Sequence, residues 1–378
     1  MNNRKKFLFL IFYLSLNILI FSETVTVRIF SKYVISKAEV ITKTESGSIK
    51  RTLIELIDDN IIVMENGKLI LKNKEVHIKS GLVLAAGQSR EYPGDLIALI
   101  FPGEKGIVLI ASMDIEDYTT CVLASELDNE IFTPELAKAM AVVIRTFSYF
   151  NRRRHAYSDF CDLTHCQSLK GLPLNLKKWK DAVVSTKGEI LNGQCDFNIV
   201  FYSVCCGGIT EDAGEFANGK PGKCGKSIVD GINGKDLCNW HRYYRWEKVI
   251  KKSDFEKVFS NFIRCKNLRI HNISITKRTA SGRVKEIKFE YVCDNSYLTK
   301  VVNANKFLSL FGKIMGWANI PSKLFDLKQI DNFYVLKGSG HGHGVGLCVA
   351  GAKTLSDLGY GYKKILKFYF SDLLISKY

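Results

Sequence analysis

The chain has 378 residues, 46% of them hydrophobic and 24% charged. That composition excludes a disordered or fibrous protein and is enough to bury one large domain with a satellite. The formal net charge of +16 suits an anionic polymer or a membrane surface as partner, although a lysine-rich proteome gives the same figure, since the lysines are scattered throughout.

The first residues read as an export signal. Arg4, Lys5 and Lys6 form a positive start, and an apolar run from Phe7 to Phe21 follows, broken only by Ser15 and Asn17. Ser22 is a candidate small residue before a cleavage point. The run is shorter than the ~20 residues of a membrane span and fits the apolar part of a signal peptide. An uncleaved anchor stays open, because Ile20 is a poor −3 residue. Either way the rest of the chain lies outside the cytoplasm. Nucleic acid is then not an expected partner, and no recognition motif for it is present. Some of the 11 cysteines should form disulfides there, and an odd number leaves at least one over.

From Glu23 to about Ile110 the pattern is β-rich. Thr24 to Phe30 alternates, and Leu69–Leu71, Leu82–Leu84 and Ile107–Ile110 are short apolar runs near turn signals. At Met113 the period changes. Ile115, Tyr118, Val122 and Ser125 share a helical face that ends near Leu127 to Asn129. A second helix starts with Thr133 as N-cap and Pro134 at its first position. Its apolar stripe is Leu136, Met140, Val143, Phe147 and Phe150. Lys138 and Arg145 share a face roughly opposite. Phe197 to Val204 reads as a strand, Ile273 to Val292 as a hairpin around Ser281-Gly282, and the tail on Ile365, Leu366 and Tyr369 as a helix. The fold class is α+β, with helices packed on a mixed β core.

Several residues could carry chemistry. Glu126 falls at the predicted end of the first helix, where the macrodipole disfavours an ionised carboxylate. A carboxylic acid that keeps its proton near neutral pH can protonate a glycosidic oxygen; the plain alternative is a solvated charge. His155, Cys161, His165 and Cys166 lie within twelve residues and supply soft ligands for one tetrahedral ion, or a Cys161–Cys166 disulfide, or free thiols. Gly340-His341-Gly342-His343-Gly344 sets two imidazoles on one side of an extended chain, for a ligand or as packed side chains. Tyr202-Ser203 could present hydroxyls to a sugar, or cap a turn. No Gly-x-Ser-x-Gly, His-Glu-x-x-His or phosphate-loop pattern occurs.

In order, Ser125-Glu126, the run Pro134 to Phe147, Cys161 to Gln167, Tyr202 to Thr210, Gly340 to Leu347 and Gly361 to Tyr369 resemble the stage II sporulation protein D (SpoIID) family, across roughly Ala111 to Phe370. No single motif is decisive; their order carries the resemblance. It implies a peptidoglycan lytic transglycosylase acting on glycan strands stripped of stem peptides. Glu126 matches the family's acid/base. It would protonate the oxygen between N-acetylmuramic acid and N-acetylglucosamine, then take the proton of the muramic 6-hydroxyl as a 1,6-anhydro ring closes. The alternative within the resemblance is a non-catalytic wall-binding protein that enhances an amidase.

The resemblance also implies a structural zinc on His155, Cys161 and Cys166, with no organic cofactor. Lys138, Arg145, Gln167, Tyr202, Ser203, His341 and His343 would line or support the cleft. The implied partners are peptidoglycan glycan strands, a wall amidase and other wall-remodelling proteins, and the implied place is the cell envelope. Division and sporulation would use the same chemistry. The expected layout is 1–22 signal or anchor, 23–110 a β-rich region, and 111–378 a catalytic domain with a β-rich insertion at about 209–330. Met140 and Val349 stand where the family usually has glutamine. In the doubled Cys205-Cys206, Cys206 matches the family position, with Cys224 or Cys238 as its expected partner.

Overall fold

A computed structural model describes residues 23–378 apart from 66, 194–199, 219 and 221. The expected signal or anchor at 1–22 lies outside the described residues, as does the first part of the strand expected at Phe197 to Val204. Among the described residues no helix is long and apolar enough to cross a membrane. The class is α+β, with a β-rich N-terminal region as expected. The chain forms two compact units, one from Met1–Cys121 with Arg153–Leu172, the other from Val122–Arg152 with Pro173–Tyr378.

The first unit is built on strands β1 (Thr24–Ile29), β2 (Lys37–Lys43), β3 (Ile49–Ile57), β4 (Asn60–Glu65), β5 (Lys68–Asn73), β6 (Glu75–Lys79), β7 (Leu82–Ala85), β8 (Gln88–Glu91), β9 (Asp95–Leu99), β10 (Val108–Asp114) and β11 (Phe160–Cys161). They form a five-stranded sheet in the order β11-β1-β10-β9-β6 and a six-stranded sheet in the order β5-β4-β3-β2-β7-β8. The alternation in β1 has its cause here: Val25, Val27 and Ile29 are buried and the residues between them face outward. In β10, Val108 to Ala111 are buried in succession. Leu69, Ile70 and Leu71 do form a strand, but on the edge of their sheet and exposed.

The 153–172 segment is fastened to this unit by carboxylates. Asp162 accepts from the backbone N–H of Phe30 at 2.8 Å and of Ser31 at 3.1 Å, and from Arg90 at 3.0 Å. Asp159 accepts from Thr26 through both its backbone N–H and its hydroxyl, each at 3.0 Å. Cys161 pairs in parallel with Arg28 through β11 and β1.

Helix α1 (Ile115–Glu126) follows β10. The second unit holds α2 (Pro134–Phe150), α3 (Leu176–Ser185), β12 (Glu189–Asn192), β13 (Tyr202–Ser203), α4 (Ala213–Asn218), β14 (Gly231–Ile232), β15 (Lys235–Asp236), β16 (Trp246–Lys251), α5 (Lys252–Ile263), β17 (Leu268–Arg278), β18 (Val284–Cys293), β19 (Ser296–Asn303), α6 (Ala304–Met315), β20 (Leu324–Ile330), β21 (Phe333–Ser339), β22 (Leu347–Cys348), α7 (Val349–Asp357), α8 (Tyr362–Tyr369) and β23 (Leu374–Lys377). Helix α2 starts as read from the sequence: Thr133 accepts from the Leu136 N–H at 3.3 Å and Pro134 opens the first turn.

Helix α2 is buried on all faces, since Ala137, Ala139, Ala141, Val142 and Ile144 are as covered as the stripe. A helix apolar on nearly every side is a core helix; α3, β12, α7 and α8 pack around it. Met140 and Val349 are both core residues here, which accounts for apolar side chains where the family has glutamine.

A separate aromatic core lies under the three-stranded sheet β17-β18-β19 and the sheet β16-β21-β20. Phe259 stacks on Phe289 at 4.0 Å, and Phe255, Phe307 and Phe311 close it from α5 and α6. Such contacts add about 0.5–1.5 kcal/mol per pair beyond burial.

Candidate functional site

Glu126 is the last residue of α1 and is half-buried. The chain turns sharply there, with buried Leu127 still bonded to Leu123. Asp128 then caps a short helical turn by accepting from the Glu130 N–H. Glu126 therefore stands at the carbonyl end of a helix, where the first turn's N–H groups are remote and the macrodipole is negative.

The other expected residues divide. Lys138 is ion-paired with Glu135 at 2.6 Å, and the second oxygen of Glu135 accepts from the Tyr362 N–H at 2.7 Å. Arg145, expected to line or support the cleft, is a buried residue of the core. Its relative exposure is 0%, and it donates to the carbonyls of Glu189 at 3.0 Å and Val183 at 3.3 Å. It ties α2 to β12 and the end of α3, because the face it shares with Lys138 is covered by these later segments. Gln167 is buried in the first unit, where its carbonyl accepts from Tyr118 at 3.1 Å. Its amide nitrogen has no protein partner.

Tyr202 and Ser203 form β13, which runs parallel to β22, with Tyr202 beside Leu347 and Ser203 beside Cys348. The glycine run makes this pairing fit. Gly340, Gly342, Gly344 and Gly346 all have φ between +73° and +93°, a conformation glycine adopts without strain. A Cβ on Gly346 would stand 2.1 Å from the Phe201 carbonyl oxygen, and one on Gly344 would stand 2.0 Å from Arg283.

The two histidines of this run do not share one environment, as an extended chain would have them do. The His341 ring packs on Tyr243 at 4.3 Å, while His343 lies against Phe216 at 5.2 Å and Phe201 at 5.7 Å. Burial, then the charges of His241 and Arg242, push His341 below the usual histidine value. Burial, with Arg283 and Lys323, holds His343 down to about 4, against a hydrogen bond to the Tyr202 backbone. His343 is thus neutral at physiological pH, and its Nδ1 accepts from the Val345 N–H at 3.0 Å.

His343 also borders a cavity of 490 Å³ whose lining includes Phe216, Leu308, Trp317 and Lys323. Nearby, Ser203 Oγ and His341 Nδ1 are buried without a hydrogen-bond partner in the protein. Buried polar atoms left unpaired in this way are rare, and functional sites are one place they occur.

His155, Cys161 and Cys166 do converge, and His165, which the spacing had grouped with them but the resemblance had left out of the ligand set, joins them. Cys161 and Cys166 are free thiols, not a disulfide. Their sulfurs are 3.7 Å apart; Cys166 Sγ is 3.4 Å from His155 Nε2 and 3.5 Å from His165 Nδ1, and Cys161 Sγ is 3.9 Å from His165 Nδ1. Zinc bonds of about 2.3 Å to sulfur and about 2.0–2.1 Å to nitrogen make a tetrahedron with edges of roughly 3.4–3.8 Å. The four separations above, 3.4–3.9 Å, lie close to those edges, and all the ligand atoms fall within 4.8 Å of one another. The hydrogen bond between the thiols holds Cys166 down to about 6 and pushes Cys161 up to about 12, so one thiolate is ready at neutral pH.

Cys206 is a free, buried thiol. Of its two expected partners, Cys224 is disulfide-bonded elsewhere and Cys238 stands 3.8 Å away, unbonded. Among the described residues Cys265 and Cys293 form a disulfide.

Two relatives and two family models match this chain. A protein of Brachyspira hyodysenteriae described as uncharacterized is 27% identical over 338 residues, 85% of this chain and 84% of its own length. The amidase enhancer of Bacillus subtilis is 31% identical over 102 residues, 27% of this chain but 14% of that protein, so the likeness is to a short part of it. Residues 216–346, which carry the aromatic core, match a domain of unknown function (DUF8618). Residues 103–192 match the model described as stage II sporulation protein (SpoIID). This segment, which holds Glu126, helix α2 and the four clustered histidines and cysteines, carries the chain's similarity to the SpoIID family.

Proposed function

We propose that this chain is an exported cell-envelope enzyme, a lytic transglycosylase that cleaves the bond between N-acetylmuramic acid and N-acetylglucosamine in peptide-stripped glycan strands. The observation that carries the reading is Glu126, half-buried at the carbonyl end of α1 inside the family-matched segment. The protonated carboxyl gives its proton to the bridging oxygen as the bond to muramic C1 breaks. The resulting carboxylate takes the proton of the muramic 6-hydroxyl, whose oxygen closes on C1. Proton and charge balance, and because a sugar hydroxyl replaces water, one carboxyl group serves where a hydrolase uses two. Ser203 Oγ and His341 Nδ1 are buried polar atoms without protein partners, and a sugar hydroxyl or acetamido group would satisfy them if the strand shifts to admit it. The apolar first residues and the basic net charge support export and attraction to an anionic wall.

A zinc ion on His155, Cys161, His165 and Cys166 would be structural, since four protein ligands leave no open position. It would fix the loop that Asp159 and Asp162 fasten to the sheet.

The test is digestion of purified glycan with and without stem peptides, followed by mass analysis of the products. Anhydro-muramic ends from stripped strands are expected, lost in Glu126→Gln by roughly 100-fold or more while glycan binding persists. A Glu126→Gln protein with wild-type products would refute the mechanism. A second reading, a non-catalytic wall protein that stimulates an amidase, rests on the likeness to the amidase enhancer. It predicts no products from the chain alone and faster peptide release when an amidase is added.

A further inference from the structure

The doubled Cys205-Cys206 has no use in the chemistry above, yet it lies in the densest group of sulfur atoms among the described residues. Cys206, Asp230, Cys238 and Cys348 are all buried, and one side-chain atom of each lies within 4.8 Å of all the others. Cys206 Sγ is 3.8 Å from Cys238 Sγ and 3.0 Å from Asp230 Oδ2. The four come from distant stretches: the end of β13, the β14–β15 hairpin and its flanks, and the start of α7. None of the three cysteines is disulfide-bonded.

Polar groups converge on the cluster from behind. Cys348 Sγ accepts from two backbone N–H groups, Cys206 at 3.3 Å and Gly351 at 3.4 Å. It is also the N-cap of α7. Tyr369 donates to Asp230 Oδ1 at 2.6 Å, which orients the carboxylate and leaves Oδ2 facing the sulfurs. Supporting bonds of this kind fix metal ligands from behind.

A second observation concerns the charge beside the cluster. Arg283 is 1% exposed, and its guanidinium donates to neutral acceptors: the Cys206 carbonyl at 2.8 Å, the Ile209 carbonyl at 3.0 Å and the Ser281 hydroxyl at 2.9 Å. A buried cation needs negative charge nearby. Glu211 supplies one charge, and a centre with more anionic ligands than cationic charge would supply the rest.

We propose that Cys206, Cys238, Cys348 and Asp230 bind a second structural zinc ion, in the second unit. Three soft sulfurs and one oxygen at four buried positions suit zinc, and four protein ligands leave no position for a substrate. The ion clamps β13, the 230–238 segment and α7, and so sets the strand that presents Tyr202 and Ser203. Cys205, buried beside Cys238 and Cys348, remains outside the ligand set. The site does not depend on the transglycosylase reading or on the histidine-containing cluster.

The experiment is metal analysis of the full chain purified under anaerobic conditions without added chelator. The paired variant Cys161→Ser/Cys166→Ser removes the other cluster, and it should retain one zinc per chain. Adding Cys238→Ser or Cys348→Ser should take that to none. Because such variants could fail to fold, cobalt exchange into the paired variant is read as well: tetrahedral bands with three thiolate ligands by X-ray absorption are expected, against two for the other cluster. Cys205→Ser should keep the ion and Asp230→Asn should weaken it. A paired variant without metal, a Cys206–Cys238 disulfide by mass, or loss of the ion on Cys205→Ser with retention on Asp230→Asn would each overturn the assignment.

Discussion

Arg145 donates to the carbonyl oxygen of Glu189 at 3.0 Å from a position with no exposed surface. An arginine on a helix of the family-matched segment invites a role in substrate recognition, but here the guanidinium donates to backbone carbonyls of β12 and α3. Arg145→Met should lower unfolding free energy by about 3 kcal/mol, because it leaves buried carbonyls without donors. Arg145→Lys should recover little, lacking the planar fork that reaches two carbonyls. Denaturant melts check this. The affinity of the folded fraction for glycan should match wild type, and a selective loss of affinity would restore the recognition role.

Gly346 offers a sharper test of how β13 and β22 meet. Its φ is +73° and an added Cβ would meet the Phe201 carbonyl oxygen at 2.1 Å. The obstacle is backbone already paired in the fold, so it cannot swing aside as a side chain could. Gly346→Ala should cost roughly 3 kcal/mol or more, seen as a lower melting temperature. Gly47→Ala, at a positive φ with open space around it, should cost about 1 kcal/mol.

What was readable in the sequence was local. The cap at Thr133, the proline after it, the period of α2, the hairpin at Ser281-Gly282 and the alternation in β1 depend on neighbours within a few positions. The four residues of the histidine-containing cluster were likewise within one short stretch and were grouped from their spacing alone. What was not readable depends on distant segments. Arg145 is buried by residues some forty positions on, and Cys206 meets Cys348 across 142 positions. The alternating glycines could be seen, but an extended chain would have put His341 and His343 on one side; the positive φ at every glycine sends their rings to separate neighbours.

His343 should make stability fall in mild acid. Its folded value is held down to about 4 from an ordinary 6.5, first by burial and then by Arg283 and Lys323. The unfolded chain therefore binds more protons between those two values, so stability rises with pH across that window. It is complete above pH 6.5 and lost as pH falls toward 4. Protonation would also remove the acceptor used by the Val345 N–H. The effect should be about 2 kcal/mol, below the full shift because the ring borders a cavity open to solvent. Denaturation midpoints from pH 7.5 to 4 should show the slope, and His343→Gln should flatten it. An equal slope in the variant would assign the effect to other groups.

His165 decides between three and four protein ligands in the histidine-containing cluster. Its Nδ1 lies 3.5 Å from Cys166 Sγ and 3.9 Å from Cys161 Sγ, distances comparable to the 3.4 Å from His155 Nε2 to Cys166 Sγ. If the zinc is structural and closed, His165→Ala should weaken binding as much as His155→Ala, by 10-fold or more on the scale of a lost metal contact. It should also lower the melting temperature to a similar degree. Chelation of the wild type should destabilise the protein without abolishing release of anhydro-sugars at temperatures where it remains folded, since bond cleavage is assigned to Glu126. Competition with a chromogenic chelator measures the affinities. Full zinc affinity in His165→Ala would reduce the set to His155, Cys161 and Cys166 and leave the fourth position to water, which is the arrangement of a catalytic zinc. The glycan digestion run with and without chelator would then show whether that water is used.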